Sequence, residues 1–172
     1  MVIADKDPLI LNCIVLVADR PTDKPGVIAC PPLIFLGALG AGIFLQWLMP
    51  VRLLPPEPAL VAGATLCSAG IAVGFWGSAT MHLAGTNVRP DRPATALVTG
   101  GPFRFSRNPL YLSLITFYLG ITLLFNALWP LVMLVPVLAF VHRRIVLREE
   151  RYLESKFGDE YRAYKARVRR WL

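Results

Sequence analysis

The chain is short of charge. Of its 172 residues only 17% are Asp, Glu, Lys or Arg, against about 25% in an ordinary soluble domain. It has two histidines, His82 and His142, and neither has a partner at metal-ligand spacing, so no metal site is expected. Its cysteines are three and scattered (Cys13, Cys30, Cys67), which indicates neither a disulfide framework nor a zinc site. It has no G-x-S-x-G elbow and no H-E-x-x-H helix, so the commonest hydrolase and metalloprotease signatures are missing. What it has is apolar mass: 55% of residues and a mean hydropathy of +0.54, which excludes a disordered chain. Fifteen prolines and thirteen glycines point to broken helices or structured loops rather than one plain bundle.

The apolar residues come in uncharged blocks, the signature of membrane spans. Residues 33–49 and 59–81 carry no charge, and neither do the 34 residues 108–141. One helix of that last length would overshoot a bilayer by roughly 20 Å, so the block reads as a hairpin turning near Asn126–Pro130. Asn126 can cap there, Trp129 suits an interface, and Pro130 suits a first helical turn. The expected fold is therefore all-α: a polytopic membrane protein with about four transmembrane helices, near 33–49, 59–81, 109–126 and 129–147. Lys and Arg number three before the first span, four between the second and third, and ten after the last. There is one between the first and second and none in the hairpin turn. The positive-inside rule then puts both termini in the cytoplasm, and a bacterial inner membrane is the expected location.

Residues 1–20 read as an N-terminal extension. Their apolar run is too short to span and starts acidic (Asp5, Asp7), unlike a signal peptide. Residues 21–172 form the working domain. Residues 148–172 are charged and helix-forming. Phe157, Tyr161, Tyr164, Val168 and Trp171 mark one stripe of a cytoplasmic amphipathic helix, which should lie on the lipid or on the spans. Anionic headgroups account for the basic face, and no nucleic-acid partner is expected. Gly70, Gly74 and Ser78 form a small-residue stripe in the second span. It serves either packing within the monomer or a homodimer. The segment Gly37-Ala38-Leu39-Gly40-Ala41-Gly42 imitates a dinucleotide loop, but no strand precedes it and it lies inside a span.

Two stretches carry chemistry. The first joins spans two and three. Gly100, Gly101 and Pro102 shape a tight backbone, Phe103, Phe105 and Tyr111 offer aromatic faces, Arg104 and Arg107 bring charge, and Asn108-Pro109 suits a helix start. The second follows span four, where Glu149 and Glu150 sit close to the membrane edge. Adjacent carboxylates there are costly unless paired or functional, and Arg143, Arg144 and Arg148 are at hand. Because spans three and four are neighbours, both stretches meet at one mouth. Aromatic faces and carboxylates together suit a cation with polar arms, a sulfonium for example. The bland alternative is a connecting loop with snorkelling arginines and an ion-paired helix face.

At these residues the chain resembles the isoprenylcysteine carboxyl methyltransferase and phospholipid methyltransferase family. The resemblance lies in Leu97-Val98-Thr99-Gly100-Gly101-Pro102-Phe103-Arg104, Arg107-Asn108-Pro109-Leu110-Tyr111, Glu149-Glu150-Arg151-Tyr152-Leu153 and Phe157-Gly158-Asp159-Glu160-Tyr161-Arg162-Ala163-Tyr164. It covers about residues 84–170. The resemblance implies S-adenosyl-L-methionine as cofactor, held by Thr95, Ala96, Leu97, Val98, Phe103, Asn108, Pro109, Leu110, Tyr111 and Glu149, with Glu150 in support. It implies transfer of a methyl group to a carboxylate, thiol or amine of a lipid-like or small apolar acceptor. In the family a basic residue just before the Glu-Glu pair meets the acceptor. Ile145 stands at that position here, so either Arg144 or Arg148 takes the role, beside Glu149 in the catalytic set, or the role is absent in this chain. Asn108 replaces the usual His, which preserves hydrogen bonding but not a titrating imidazole. The rival expectations are an NADPH-dependent membrane reductase of related architecture and a non-enzymatic membrane scaffold.

Overall fold

A computed structural model describes residues 30–87 and 94–172. The expected boundary near residue 21, the apolar run before it, Cys13, Arg89 and Arg92 lie outside the described residues. Among the described residues every regular element is helical. Helix α1, Pro31–Leu48, starts on two prolines in its first turn, where a missing N–H costs nothing. Helix α2, Pro56–Leu83, starts the same way and carries Glu57 in its first turn, favourable against the positive end of the helix dipole. A short 3-10 turn, Gly101–Arg104, leads into helix α3, Pro109–Leu124. Helix α4, Leu128–Val141, continues through a π-helical turn, His142–Val146, into helix α5, Leu147–Arg167.

Among the described residues three helices are long and apolar enough to cross a membrane: α1, α2 and the continuous run Leu128–Arg167. Helix α3 is apolar but has only 16 residues, about 24 Å at 1.5 Å per residue. Against the expected about four transmembrane helices, three described helices have the length and α3 is a shorter apolar helix in a hairpin with α4.

Helix pairs form because small residues let backbones approach. A methyl group at Gly70 would lie 2.7 Å from Phe117 N, one at Gly63 2.8 Å from Leu124 N, and one at Gly77 2.8 Å from Leu110 Cδ2. These positions, seven apart, seat α2 against α3. Gly74, between them, faces Ser113. Gly70 and Gly74 of the small-residue stripe thus pack against α3 within the chain, with van der Waals packing as the driving force. In the same way Gly42 of α1 abuts Pro130 of α4. The core runs between α1, α3 and α4 through Phe35, Leu39, Tyr118, Leu134, Val137 and Val141. The buried Tyr118 hydroxyl is satisfied by Pro130 O at 2.8 Å. Outward faces are strongly apolar, with Trp47, Phe75, Leu83 and Val135 all exposed, which suits hydrocarbon rather than water.

The hairpin turn falls where the sequence placed it, between Leu124 and Leu128, with Pro130 in the first turn of α4. Asn126 acts differently from the cap expected of it. It adopts φ 47°, and its side chain crosses to the α1–α2 connection. Its Oδ1 accepts from Leu53 N and Leu54 N at 2.9 and 3.0 Å, and its Nδ2 donates to Leu54 O at 2.7 Å. Trp129 Nε1 donates to Met49 O at 2.7 Å. The α1–α2 connection and the α3–α4 turn are thus clasped together at one end of the bundle, and the opposite end carries the polar loop and α5.

The C-terminal stripe is not one helix. At Gly158 the chain takes φ 52°, a left-handed conformation that glycine adopts without a Cβ clash, and α5 kinks there. It ends at Arg167, and Val168 is extended. Tyr161 and Tyr164 share a face with ring centroids 6.1 Å apart, while Phe157 lies before the kink and Val168 and Trp171 lie beyond the helix. Trp171 returns to pack against His142, with ring centroids 6.1 Å apart.

Candidate active site

The first site element is the loop before α3. At Gly101 the chain takes φ 55°, and a Cβ there would fall 2.6 Å from Thr80 Oγ1, so only glycine fits the turn against α2. Pro102 and Ser106 are buried. Asn108 stands at the N-cap of α3 and Pro109 at its first position, as expected, but the Asn108 side chain makes no capping bond. Its Nδ2 donates instead to Arg170 O at 3.0 Å.

Residues 168–171 form a strap that holds this loop. Arg107 N donates to Arg169 O at 3.0 Å, and Ser106 Oγ donates to Arg170 O at 3.1 Å. Arg170 also grips Glu150 with two hydrogen bonds, Nε to Oε1 at 2.9 Å and Nη2 to Oε2 at 2.8 Å. Arg107 Nη1 lies 3.1 Å from the same Oε1. Glu150 is thus a buried carboxylate shared by two guanidinium groups. Tyr164, one turn from Tyr161, donates its hydroxyl to Phe103 O at 2.7 Å, which pins α5 over the loop.

Glu149 points elsewhere. It accepts a hydrogen bond from Tyr111 Oη at 2.9 Å. Burial pushes its carboxyl above the ordinary carboxylate range and the neighbouring Glu150 charge adds to that, while the Tyr111 bond opposes it. Tyr161 is pushed up to about 12, mainly by burial, so it is a donor and not a base at neutral pH.

These groups surround a cavity of about 370 Å³, within the range of roughly 300–1,000 Å³ typical of small-molecule sites. Of the residues the sequence singled out, Ala96, Leu97, Val98, Phe103, Asn108, Pro109, Leu110, Tyr111, Glu149 and Glu150 all line it. Thr95 does not line it; its N–H and hydroxyl bond to Thr86 Oγ1 at 3.0 Å and Gly85 O at 2.7 Å, fixing the strand of loop behind the wall. Arg144 is exposed and Arg148 half-buried, and neither lines the cavity. Ile145, where the resemblance would put the basic residue, is buried in the π-helical turn 142–146, and Arg144 lies in the same turn.

The sequence reading passed over Arg107 as a site residue, along with Tyr161 and Tyr164, all of which line the cavity. Arg170 was missed because its role depends on the chain doubling back after Arg167. The spacing of Tyr161 and Tyr164 was a usable signal for the first pair.

The cavity, lined by aromatic and carboxylate groups, thus lies between a helical hairpin and a kinked, charged helix. Over residues 58–160, more than half its length, the chain matches the phospholipid methyltransferase family. It belongs to that family, which places it among membrane methyltransferases. An uncharacterized protein of Haemophilus influenzae is 52% identical over 64 residues, 37% of this chain and the whole of that protein. No solved structure matches.

Proposed function

We propose that this chain is an integral membrane methyltransferase that uses S-adenosyl-L-methionine. It passes the methyl group to a carboxylate, thiol or amine of a lipid-like or small apolar acceptor. The observation that carries this reading is the convergence of the 94–111 loop and Glu149 on one cavity, joined by the Tyr111–Glu149 bond, within a chain of this family. The donor set fits the cofactor. Phe103, Tyr111, Tyr161 and Tyr164 give faces that attract a cation, and Glu149 is the carboxylate left to take polar N–H or O–H groups, since Glu150 is already held by Arg170.

When bound, the cofactor supplies an electrophilic methyl on a sulfonium. The chain's own part is alignment and exclusion of water. The strap and the Tyr164–Phe103 bond fix the loop, Tyr111 fixes Glu149, and the apolar walls keep the reacting centre dry. Glu149, its carboxyl raised by burial, is the lining carboxylate placed to receive a proton, since Glu150 is held by Arg170. An acceptor that must lose a proton would give it there.

In this reading the short helix α3 crosses the membrane with α1, α2 and α4, both termini face the cytoplasm by the distribution of Lys and Arg, and the membrane is a bacterial inner membrane. The test is transfer of labelled methyl from S-adenosyl-L-methionine by the detergent-purified protein to a lipid extract of membranes. Label in the organic phase, absent with Glu149→Gln, supports the reading. Wild-type protein that moves no label to any lipid or apolar thiol, carboxylate or amine contradicts it.

A further inference from the structure

The seam between α2 and α3 is not equally tight along its length. At Gly63, Gly70 and Gly77 an added methyl would fall 2.7–2.8 Å from atoms of α3. At Gly74 it would meet only the Ser113 side chain, at 3.1 Å. At 100° per residue, Gly74 and Ser78 turn about 40° and about 80° away from Gly70 around the helix. The seam therefore opens on one flank of α2 into a groove. The groove is continuous with the cavity, because Gly74, Ser78, Ser113 and Leu114 line both. Farther along, Ile71 and Phe117 wall it, and both are exposed on the outward apolar face. That face belongs to a helix long and apolar enough to cross a membrane, so hydrocarbon is what meets the groove from outside.

Ser78 stands where groove meets cavity, and its hydroxyl differs from the others on this helix. Thr65, Ser68 and Thr80 each donate to the carbonyl four residues back, at 2.8, 2.9 and 2.8 Å, the common way a hydroxyl is satisfied within a helix. Ser78 makes no hydrogen bond among the described residues. A hydroxyl left unpaired in apolar surroundings costs free energy, and a polar group of a bound molecule would remove that cost. Inside a bilayer a hydrocarbon chain gains nothing from leaving water, since lipid tails are as apolar as the groove. What the groove can add is close contact along small residues and one hydrogen bond at its inner end. That combination fits a molecule with a long chain and a polar group at one end.

We infer that the α2–α3 groove seats the hydrocarbon chain of the methyl acceptor, with Ser78 Oγ bonding the first polar group of that chain. The acceptor is then a chain-bearing membrane lipid that enters sideways between α2 and α3. Naming the occupant as the acceptor rests on the function proposed above; the seating of a lipid chain does not.

The probe is hexadecanol carrying a mid-chain diazirine, titrated by mole fraction into phosphatidylcholine nanodiscs that hold the full chain, without cofactor. After irradiation and digestion, mass spectrometry locates the adducts. Adducts on residues 70–78 and 113–117 should saturate, while those on the outward face of α1, at the exposed Leu33, Leu36 and Phe44, should rise in proportion to the probe. Ser78→Ala removes only the hydroxyl and should raise the half-saturating probe fraction roughly three- to tenfold. Ile71→Trp, at an exposed position outside the tight seam, narrows the groove and should cut its adducts severalfold with those of α1 unchanged. Groove adducts in wild type that only rise in proportion, as on α1, overturn the inference and require no variant to fold. Saturation at the same probe fraction in Ser78→Ala overturns the role given to Ser78, and adducts unchanged in Ile71→Trp overturn the place given to the chain. Failure of the methyltransferase reading looks different: the groove saturates with probe, yet the protein moves no label from S-adenosyl-L-methionine to any acceptor.

Discussion

Tyr111 and Glu149 stand on different helices, 38 positions apart, and the phenol of one donates to the carboxylate of the other across 2.9 Å. This bond ties the start of α3 to the start of α5 across the cavity mouth, so one side chain holds the group most suited to grip a ligand.

Removing the bond alone should therefore weaken the site without unfolding the bundle. Tyr111→Phe keeps the packing of a buried ring and loses one charge-assisted bond, worth about 1.5–3 kcal/mol. We expect about tenfold or greater loss of S-adenosyl-L-methionine affinity by calorimetry, with a change in Tm of only a few degrees. Equal loss of both would make Tyr111 a packing residue.

Glu149 should also set a pH dependence of stability. Its folded carboxyl is raised by burial, so the folded state holds the proton more tightly than the unfolded chain. That contribution is present in full below the ordinary carboxylate range and is lost as pH rises toward the folded value. Glu149→Gln removes the penalty of a buried carboxylate. The ligand-free variant should melt at a higher temperature than wild type near neutral pH, and the difference should shrink on acidification to about pH 4. A Tm difference independent of pH would contradict the assignment.

The α2–α3 seam gives a packing test. A methyl at Gly70 would lie 2.7 Å from the Phe117 backbone, which cannot retreat as a flexible side chain does. Gly70→Val should cost about 1–3 kcal/mol or more by overpacking. Gly40, also helical, has nothing within 4 Å of an added Cβ, and Gly40→Ala should stay within about 0.5 kcal/mol. Unfolding in mixed detergent measures both.

The strap predicts an effect from just behind the cavity wall. Arg170→Ala removes both bonds to Glu150 and should destabilise by about 1–3 kcal/mol. Arg170→Lys should restore only part of this, because an ammonium cannot make the paired bonds of the guanidinium fork. Full recovery by lysine would show that charge alone matters.

Much of this was legible from the sequence because it lies in local patterns. Uncharged block lengths placed the helices to within a few residues, and the hairpin turn followed from a block too long for one span. The motif residues Phe103, Asn108–Tyr111, Glu149 and Glu150 converge because a hairpin brings its ends together. The misses have physical reasons. Asn126 and Asn108 have short polar side chains that can bond backward or across, and tertiary partners at Leu53–Leu54 and Arg170 outcompeted their own helix ends. Arg144 and Arg148 were named only because Ile145 stands where the family carries a basic residue, and a likeness of motifs does not fix how the chain turns through 142–146. The glycine stripe could have served a second copy of the chain. Only the position of α3 shows that it is used within one.

Calorimetric titration of S-adenosyl-L-methionine into the detergent-purified protein, with NADPH as the comparison, tests the central claim most directly. We predict saturable binding of S-adenosyl-L-methionine, sharply weakened in Glu149→Gln, and none of NADPH. Binding of NADPH in its place, or of neither, would contradict it.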